Sequence, residues 1–284
     1  MDARNDQMVK MVLINETDLN ITAGCLANNP TTSTDDVTET STEGYRILGG
    51  SQVDGYKYPY MASLQVLINR NWKHFCGAVL IAPNKLVTAA HCLLNNLIPT
   101  RIKIGALDLV IDGPKNNYSQ VRTVSRSISH PRYKQPGERH DIGVIYLQTP
   151  VVFNENVKIA EIAPKGSSFE GETCAIAGWG ISEESPQGSS YLREAFLKAI
   201  STERCSAFNW KTPITNKEIC VFDEKNAPDY RARPCEADSG GELMCGLRYQ
   251  YLAGVTSTGG FGCTGTRPGL YTRVSEYRDW INSV

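Results

Sequence analysis

A serine hydroxyl becomes a nucleophile only when a neighbouring base takes its proton. The chemistry open to this sequence therefore turns on Ser239 and four histidines, His74, His91, His130 and His140. Ser239 stands in Cys235-Glu236-Ala237-Asp238-Ser239-Gly240-Gly241-Glu242. Two glycines after a serine allow a tight turn whose backbone can approach a substrate and aim N–H groups at a developing oxyanion; the same tetrapeptide also makes an ordinary surface turn. His91 closes the apolar run Val87-Thr88-Ala89-Ala90-His91-Cys92, beside a cysteine able to pin the loop, and reads either as the base or as a buried, satisfied histidine. Asp141 opens the apolar run Ile142-Gly143-Val144-Ile145-Tyr146-Leu147, where a carboxylate can orient an imidazole from a partly buried position or simply end a strand. Each signal alone arises readily by chance. Together, in the order His, Asp, Ser, they read as acyl-transfer machinery.

The elements that would hold these residues are short strands bounded by Gly, Pro and Asn: Met61 to Ile68, Gly77 to Ile81, Ile102 to Gly105, Ile142 to Leu147, Tyr251 to Val255 and Gly269 to Val274. Such a pattern suggests an all-β body of barrels or a sandwich. The best helix candidate is Val274 to Ile281, with Val274, Tyr277 and Ile281 on one face. Residues 1–46 differ in kind. Eight of the twelve residues from Thr31 to Thr42 are Ser or Thr, and eight acids face three bases, so this leader is expected to be largely disordered. The remaining residues, 47–284, carry 26 basic against 22 acidic side chains.

This balance argues against a nucleic-acid partner, and the absence of any long apolar run argues against a membrane span. Nine cysteines, none spaced two to four apart, suit disulfides between distant segments better than a structural zinc site, and hence an oxidising compartment. The sequons at Asn15, Asn20 and Asn117 fit a secreted glycoprotein. No signal peptide is visible, because Met8 to Ile14 is too short an apolar stretch.

From Ile47 to Val284 the sequence resembles the trypsin/chymotrypsin-like serine proteases. The resemblance rests on Arg46-Ile47-Leu48-Gly49-Gly50, Thr88-Ala89-Ala90-His91-Cys92, Asp141-Ile142-Gly143-Val144-Ile145, Ala237-Asp238-Ser239-Gly240-Gly241, Gly178-Trp179-Gly180, Pro268-Gly269-Leu270-Tyr271 and Tyr277-Arg278-Asp279-Trp280-Ile281. It implies two packed antiparallel β-barrels, roughly 47–155 and 165–284, with a C-terminal helix and a site in the cleft between them. His91 and Asp141 would stand on the first barrel and Ser239 on the second. By the family's roles Ser239 attacks, His91 is the base, Asp141 orients it, and the N–H groups of Ala237 and Ser239 hold the oxyanion.

The same resemblance pairs Cys76 with Cys92, Cys174 with Cys245, Cys205 with Cys220, and Cys235 with Cys263. The body position that would receive Cys25 is Ile162, which leaves Cys25 either free or joined to another chain, and the protein otherwise a monomer. It further implies a precursor: a trypsin-like protease cuts after Arg46, and the α-amino group of Ile47 inserts beside Asp238. Polypeptides are the implied substrates and a protein protease inhibitor a possible partner. No cofactor is required. No metal is expected either, since Ala106 stands where calcium-binding relatives place a carboxylate.

This chain departs from the family's pattern at several positions. Ala237 replaces a glycine at an oxyanion donor, Glu242 replaces a proline, Leu48 a valine, and Thr258 follows Ser257 where many relatives carry tryptophan. Among the substrate-binding positions (Arg233, Ser257, Gly259 and Gly269), Arg233 forms the pocket floor and matches neither the aspartate of trypsin-like members nor the small residue of chymotrypsin-like ones. A guanidinium there needs an anion, supplied by an acidic substrate residue or by an internal partner such as Glu236. These departures leave a second reading open, a protease homologue that binds partners without efficient turnover.

Overall fold

Alternation along the strands builds this fold, because period-2 patterning gives the central strands such as β3 and β12 two buried faces that serve different cores. The computed structural model describes residues 50–94, 100–110, 118–134, 139–180, 189–224, 232–235, 237–258 and 266–284. The leader, Arg46, Ile47, Leu48, Gly259, Cys263, Cys25, Glu236 and the sequon asparagines Asn15, Asn20 and Asn117 lie outside these described residues.

The strands in chain order are β1 (Ser51–Gln52), β2 (Met61–Ile68), β3 (Asn71–Ala82), β4 (Lys85–Thr88), β5 (Thr100–Ile104), β6 (Gln120–Ser129) and β7 (Gly143–Leu147), followed by β8 (Glu161–Ile162), β9 (Thr173–Gly178), β10 (Arg193–Ile200), β11 (Glu218–Phe222), β12 (Glu242–Cys245), β13 (Tyr251–Thr258) and β14 (Gly269–Arg273). The first barrel closes in the order β2-β3-β4-β7-β6-β5, and β5 returns to β2. The second runs β10-β11-β14-β13-β12-β9 and closes through β9 with β10. Both rings are antiparallel throughout; β1 adds to β10, and β8 lies parallel to β13 outside the ring. The structure is thus two closed six-stranded antiparallel barrels, as the resemblance implies.

Of four buried clusters among the described residues, three follow from the alternation, and the fourth gathers Ile200, Cys205, Cys220, Phe222 and Leu270 beside the Cys205–Cys220 bridge. On β3, Ala78 and Leu80 fill the first barrel with Leu64, Ile102 and Ile145, while Val79 points the other way. On β12, Leu243 fills the second barrel with Ile176, Leu197 and Val221, while Met244 points out of it. The outward residues Met61, Val79, Val144, Trp179, Met244 and Val255 meet in a third cluster that joins the barrels. At the β2–β3 turn, Asn69 and Arg70 both take positive φ (49° and 65°), the mirror-image geometry that a two-residue hairpin requires.

The terminal segment differs from its expected form. Val274, Tyr277 and Ile281 are all buried in the joining cluster, but they are carried by a 3₁₀ turn, Val274–Tyr277, that passes into a short helix, Arg278–Ser283. Lys85 of the first barrel donates to the Ile281 carbonyl and to a Val284 oxygen, which ties this end to the opposite barrel. The sequence reading also passed over the helix Thr202–Ser206, whose only signal is Ser201 capping the Arg204 N–H at 3.1 Å.

Candidate active site

Three elements converge at the cleft. His91 lies in the 3₁₀ turn Ala90–Leu93 directly after β4, and Cys76–Cys92 ties that turn back to β3. Asp141 lies two residues before β7 and is 1% exposed. Ser239 lies in the turn before β12.

Asp141 accepts two hydrogen bonds from one residue, from the His91 backbone N–H at 3.0 Å and from Nδ1–H at 2.8 Å. The ring is therefore fixed in orientation and tautomer, with Nε2 left as the proton acceptor. Burial pulls the His91 pKa down, but the Asp141 charge and hydrogen bond outweigh it and the net shift is upward. Two further donors hold the carboxylate and its backbone: Ser257 Oγ–H to Oδ2 at 2.7 Å, and Thr272 Oγ1–H to the Asp141 carbonyl at 2.7 Å. The sequence reading placed Ser257 among the substrate-binding residues and did not assign it this contact. Nor did it single out Thr272.

The Ser239 turn is docked backbone to backbone. Gly77 N–H donates to the Ser239 carbonyl at 2.8 Å, and Gly240 N–H donates to Thr256 at 2.8 Å. A Cβ on Gly77 would meet Gly241 Cα at 2.7 Å, and one on Gly240 would meet Thr88 Oγ1 at 2.2 Å. This close approach, with Gly240 at φ +76°, is why the positions are glycines. It also brings the Ser239 turn onto the strand end that leads into His91.

Ala237 takes φ +68°, a left-handed conformation that costs a non-glycine residue roughly 1–2 kcal/mol. His74 is the group that holds it there. Its Nε2–H donates to the Ala237 carbonyl at 3.0 Å, its Nδ1 shares a 2.8 Å hydrogen bond with Ser63 Oγ, and Gln65 and Arg101 extend the chain outward. Burial lowers the His74 pKa to about 4, so the ring stays neutral. The other two histidines stand behind Asp141. His130 and His140 stack at 4.9 Å, and Tyr277 Oη shares a 3.0 Å hydrogen bond with His140 Nδ1. Four candidate bases thus divide into one ring on the Asp141 carboxylate, one on the Ala237 carbonyl, and a stacked pair at the rear.

Asp238 is buried, and its carboxylate accepts from Gly180 N–H at 2.8 Å and Cys235 N–H at 3.0 Å. Burial lifts its pKa to about 6, against the pull of those two donors. Cβ atoms on Gly178 or Gly180 would fall within 2.5 Å of the carboxylate, so both glycines are required to seat it. Glu242 is buried as well. Arg233 is 5% exposed and makes polar or electrostatic contacts of its own. A Cβ on Gly269 would lie 3.1 Å from the ring of Pro234, the residue after Arg233.

The bonded pairs Cys76–Cys92, Cys174–Cys245 and Cys205–Cys220 are those the resemblance implies, and Cys235 is also disulfide-bonded. His91 with Cys76 and Cys92 forms the one cluster of potential metal ligands among the described residues. Its two sulfurs are joined to each other and offer no thiolate. No helix among the described residues is long and apolar enough to cross a membrane.

Comparison with known proteins agrees with this geometry. The trypsin family model matches residues 47–281. The chain is similar to human granzyme M (33% identity, covering 86% of this chain and 91% of the relative), to kallikrein-15 of Saguinus oedipus (32%; 87% and 94%) and to chymotrypsin-like elastase family member 1 of the dog, Canis lupus familiaris (31%; 89% and 96%). A family match over residues 47–281, on a body of two closed barrels, places the chain in the trypsin family of serine endopeptidases.

Proposed function

We propose that the protein is a secreted endopeptidase made as a precursor and activated by a trypsin-like protease cutting after Arg46. Ser239 attacks the peptide carbonyl, His91 Nε2 takes the hydroxyl proton and returns it to the leaving amine, and Asp141 stabilises the imidazolium. The N–H groups of Ala237 and Ser239 hold the oxyanion. The observation that carries this reading is the double hydrogen bond from His91 to Asp141 beside the docked Ser239 turn.

The precursor reading is supported by Asp238. A buried carboxylate held by two neutral donors and raised to about 6 gains from a cation, and the α-amino group freed at Ile47 is one. The chain beyond the cut is already anchored: Arg193 Nη2–H donates to the Gly50 carbonyl at 3.2 Å, and Val53 N–H donates to the Leu192 carbonyl at 3.0 Å. Disulfides and sequons support secretion.

By the resemblance Arg233 occupies the floor of the substrate pocket, where its positive charge disfavours a Lys or Arg side chain, so the proposal extends to cleavage after acidic or other non-basic residues. A peptide library digested by protein cut after Arg46, with Ser239→Ala as control, tests both claims. Cleavage by the cut protein after acidic or uncharged residues, absent in Ser239→Ala, is the expected result. Efficient cutting after Lys or Arg would overturn the specificity, and no cutting at all would favour the non-catalytic homologue.

A further inference from the structure

The outward face of β2 turns polar after Met61. Ala62, Leu64 and Val66 fill the first barrel, so alternation puts Ser63 and Gln65 on the face that Met61 presents to the joining cluster. Both are buried, at 0% and 2% exposure, and a buried hydroxyl or amide destabilises the fold unless its hydrogen bonds are met. Strand pairing meets them. Gln65 lies opposite His74 on β3 and opposite Arg101 on β5, and Arg101, Gln65, Ser63 and His74 form one hydrogen-bonded line that ends on the Ala237 carbonyl.

The two ends of that line fix every proton within it. A guanidinium only donates, so Arg101 Nε–H meets the Gln65 side-chain carbonyl at 2.8 Å and the amide N–H is left to donate to Ser63 Oγ at 3.2 Å. A peptide carbonyl only accepts, so the neutral His74 ring carries its hydrogen on Nε2, 3.0 Å from the Ala237 oxygen, and Nδ1 accepts from the Ser63 hydroxyl at 2.8 Å. All four bonds therefore run one way, from the cation to the Ser239 turn, and bonds aligned in series polarise one another.

Their target is a peptide held on both edges. The Ala237 carbonyl accepts from His74, and the Asp238 N–H of the same peptide donates to the Cys235 carbonyl at 3.1 Å. With this plane fixed, the direction of the Ala237 N–H depends only on the φ and ψ of Ala237. A glycine would rest at φ +68° without penalty, whereas an alanine must be held there.

We propose that Gln65 and Arg101 are positioning residues for the reaction, which order the hydrogen bonds through Ser63 and His74 and so keep the Ala237 N–H aimed at the oxyanion. The inference rests on the role proposed above for that N–H. Arg101 is itself steadied by Trp72, its guanidinium lying 4.2 Å from the ring centre.

The test is Gln65→Glu, which keeps the shape of the side chain and turns the donor facing Ser63 into an acceptor. The Ser63 hydroxyl then donates to the carboxylate, His74 offers Nδ1–H to Ser63, and a bare Nε2 lone pair faces the Ala237 carbonyl. In protein cut after Arg46, kcat on a peptide amide at about pH 8 should fall about tenfold with KM unchanged, part of the roughly 10²–10³ that a whole oxyanion donor contributes. Nitrogen NMR of the His74 ring should show the proton moved from Nε2 to Nδ1. Arg101→Met lets the Gln65 amide turn over and should move both readings the same way to a smaller extent; it serves if the glutamate variant misfolds. A proton that stays on Nε2 in both variants overturns the hydrogen-bond order, and a moved proton with unchanged kcat overturns the positioning role. Wild type that hydrolyses no amide would instead overturn the proposed function, and the two failures are told apart because the NMR reading requires no turnover.

Discussion

His91 carries the charge logic of the site at the scale of single residues. Its pKa lies above the usual 6.5 because Asp141 outweighs burial, and the base must be neutral to accept a proton. Activity should therefore fall as pH falls through a value above 6.5, and kcat/KM against pH measures it. Asp141→Asn should move that limb downward and reduce kcat about 10⁴-fold, the loss that follows when the tautomer-fixing carboxylate of a Ser-His-Asp triad becomes an amide. Ala237 gives a second prediction. Its φ of +68° suits glycine, so Ala237→Gly should raise stability by about 0.5–1 kcal/mol, the left-handed relief less the entropy a glycine adds to the unfolded chain; chemical denaturation measures it. The candidate triad was legible because each member sits inside a local motif. The hydrogen bond from Ser257 to Asp141 was not, since it spans 116 positions and leaves no periodic trace.

At the scale of elements, the glycine contacts decide whether the Ser239 turn can dock. Gly240→Ala places a methyl group against Thr88 Oγ1 and the Gly77 carbonyl at a positive φ. It should lower stability by about 2 kcal/mol or more and remove activity, while His91 and Asp141 remain in place by NMR. β12 offers a different readout. The folded pKa of Glu242 is raised, so the stability of the fold is full below the ordinary carboxylate value and is lost progressively as pH rises above about 4.3. Glu242→Gln removes this slope, and its melting temperature relative to wild type should climb between pH 4 and 7. A constant difference would contradict a buried, protonated glutamate.

Of the fourteen described strands, β2, part of β3, β5, β7, β13 and β14 were visible in the sequence. The terminal segment was only half visible: its apolar spacing marks the buried face correctly, but spacings of three and four serve a 3₁₀ turn as well as an α-helix, and Val274–Tyr277 takes the tighter form. The polar strand β6 and the arginine-led β10 went unnamed because their exposed or ion-pairing residues mask the pattern.

The whole molecule is two barrels that each complete their own core and then share a third. Cleft and joining cluster arise from the same alternation, so the residues that glue the barrels are neighbours in sequence of those that line the site: Val87 precedes Thr88, Ile142 follows Asp141, and Trp179 lies between the two glycines that seat Asp238. Barrel closure was implied by resemblance rather than by composition, which fits a sandwich equally well. In the proposed function this assembly gains a working serine nucleophile when the chain is cut after Arg46. Labelling by a serine-directed phosphonate, followed by mass spectrometry, tests it most directly. Covalent modification of Ser239 after cleavage, with none before it and none in Ser239→Ala, is the predicted result; folded, cleaved protein that takes up no label would contradict it.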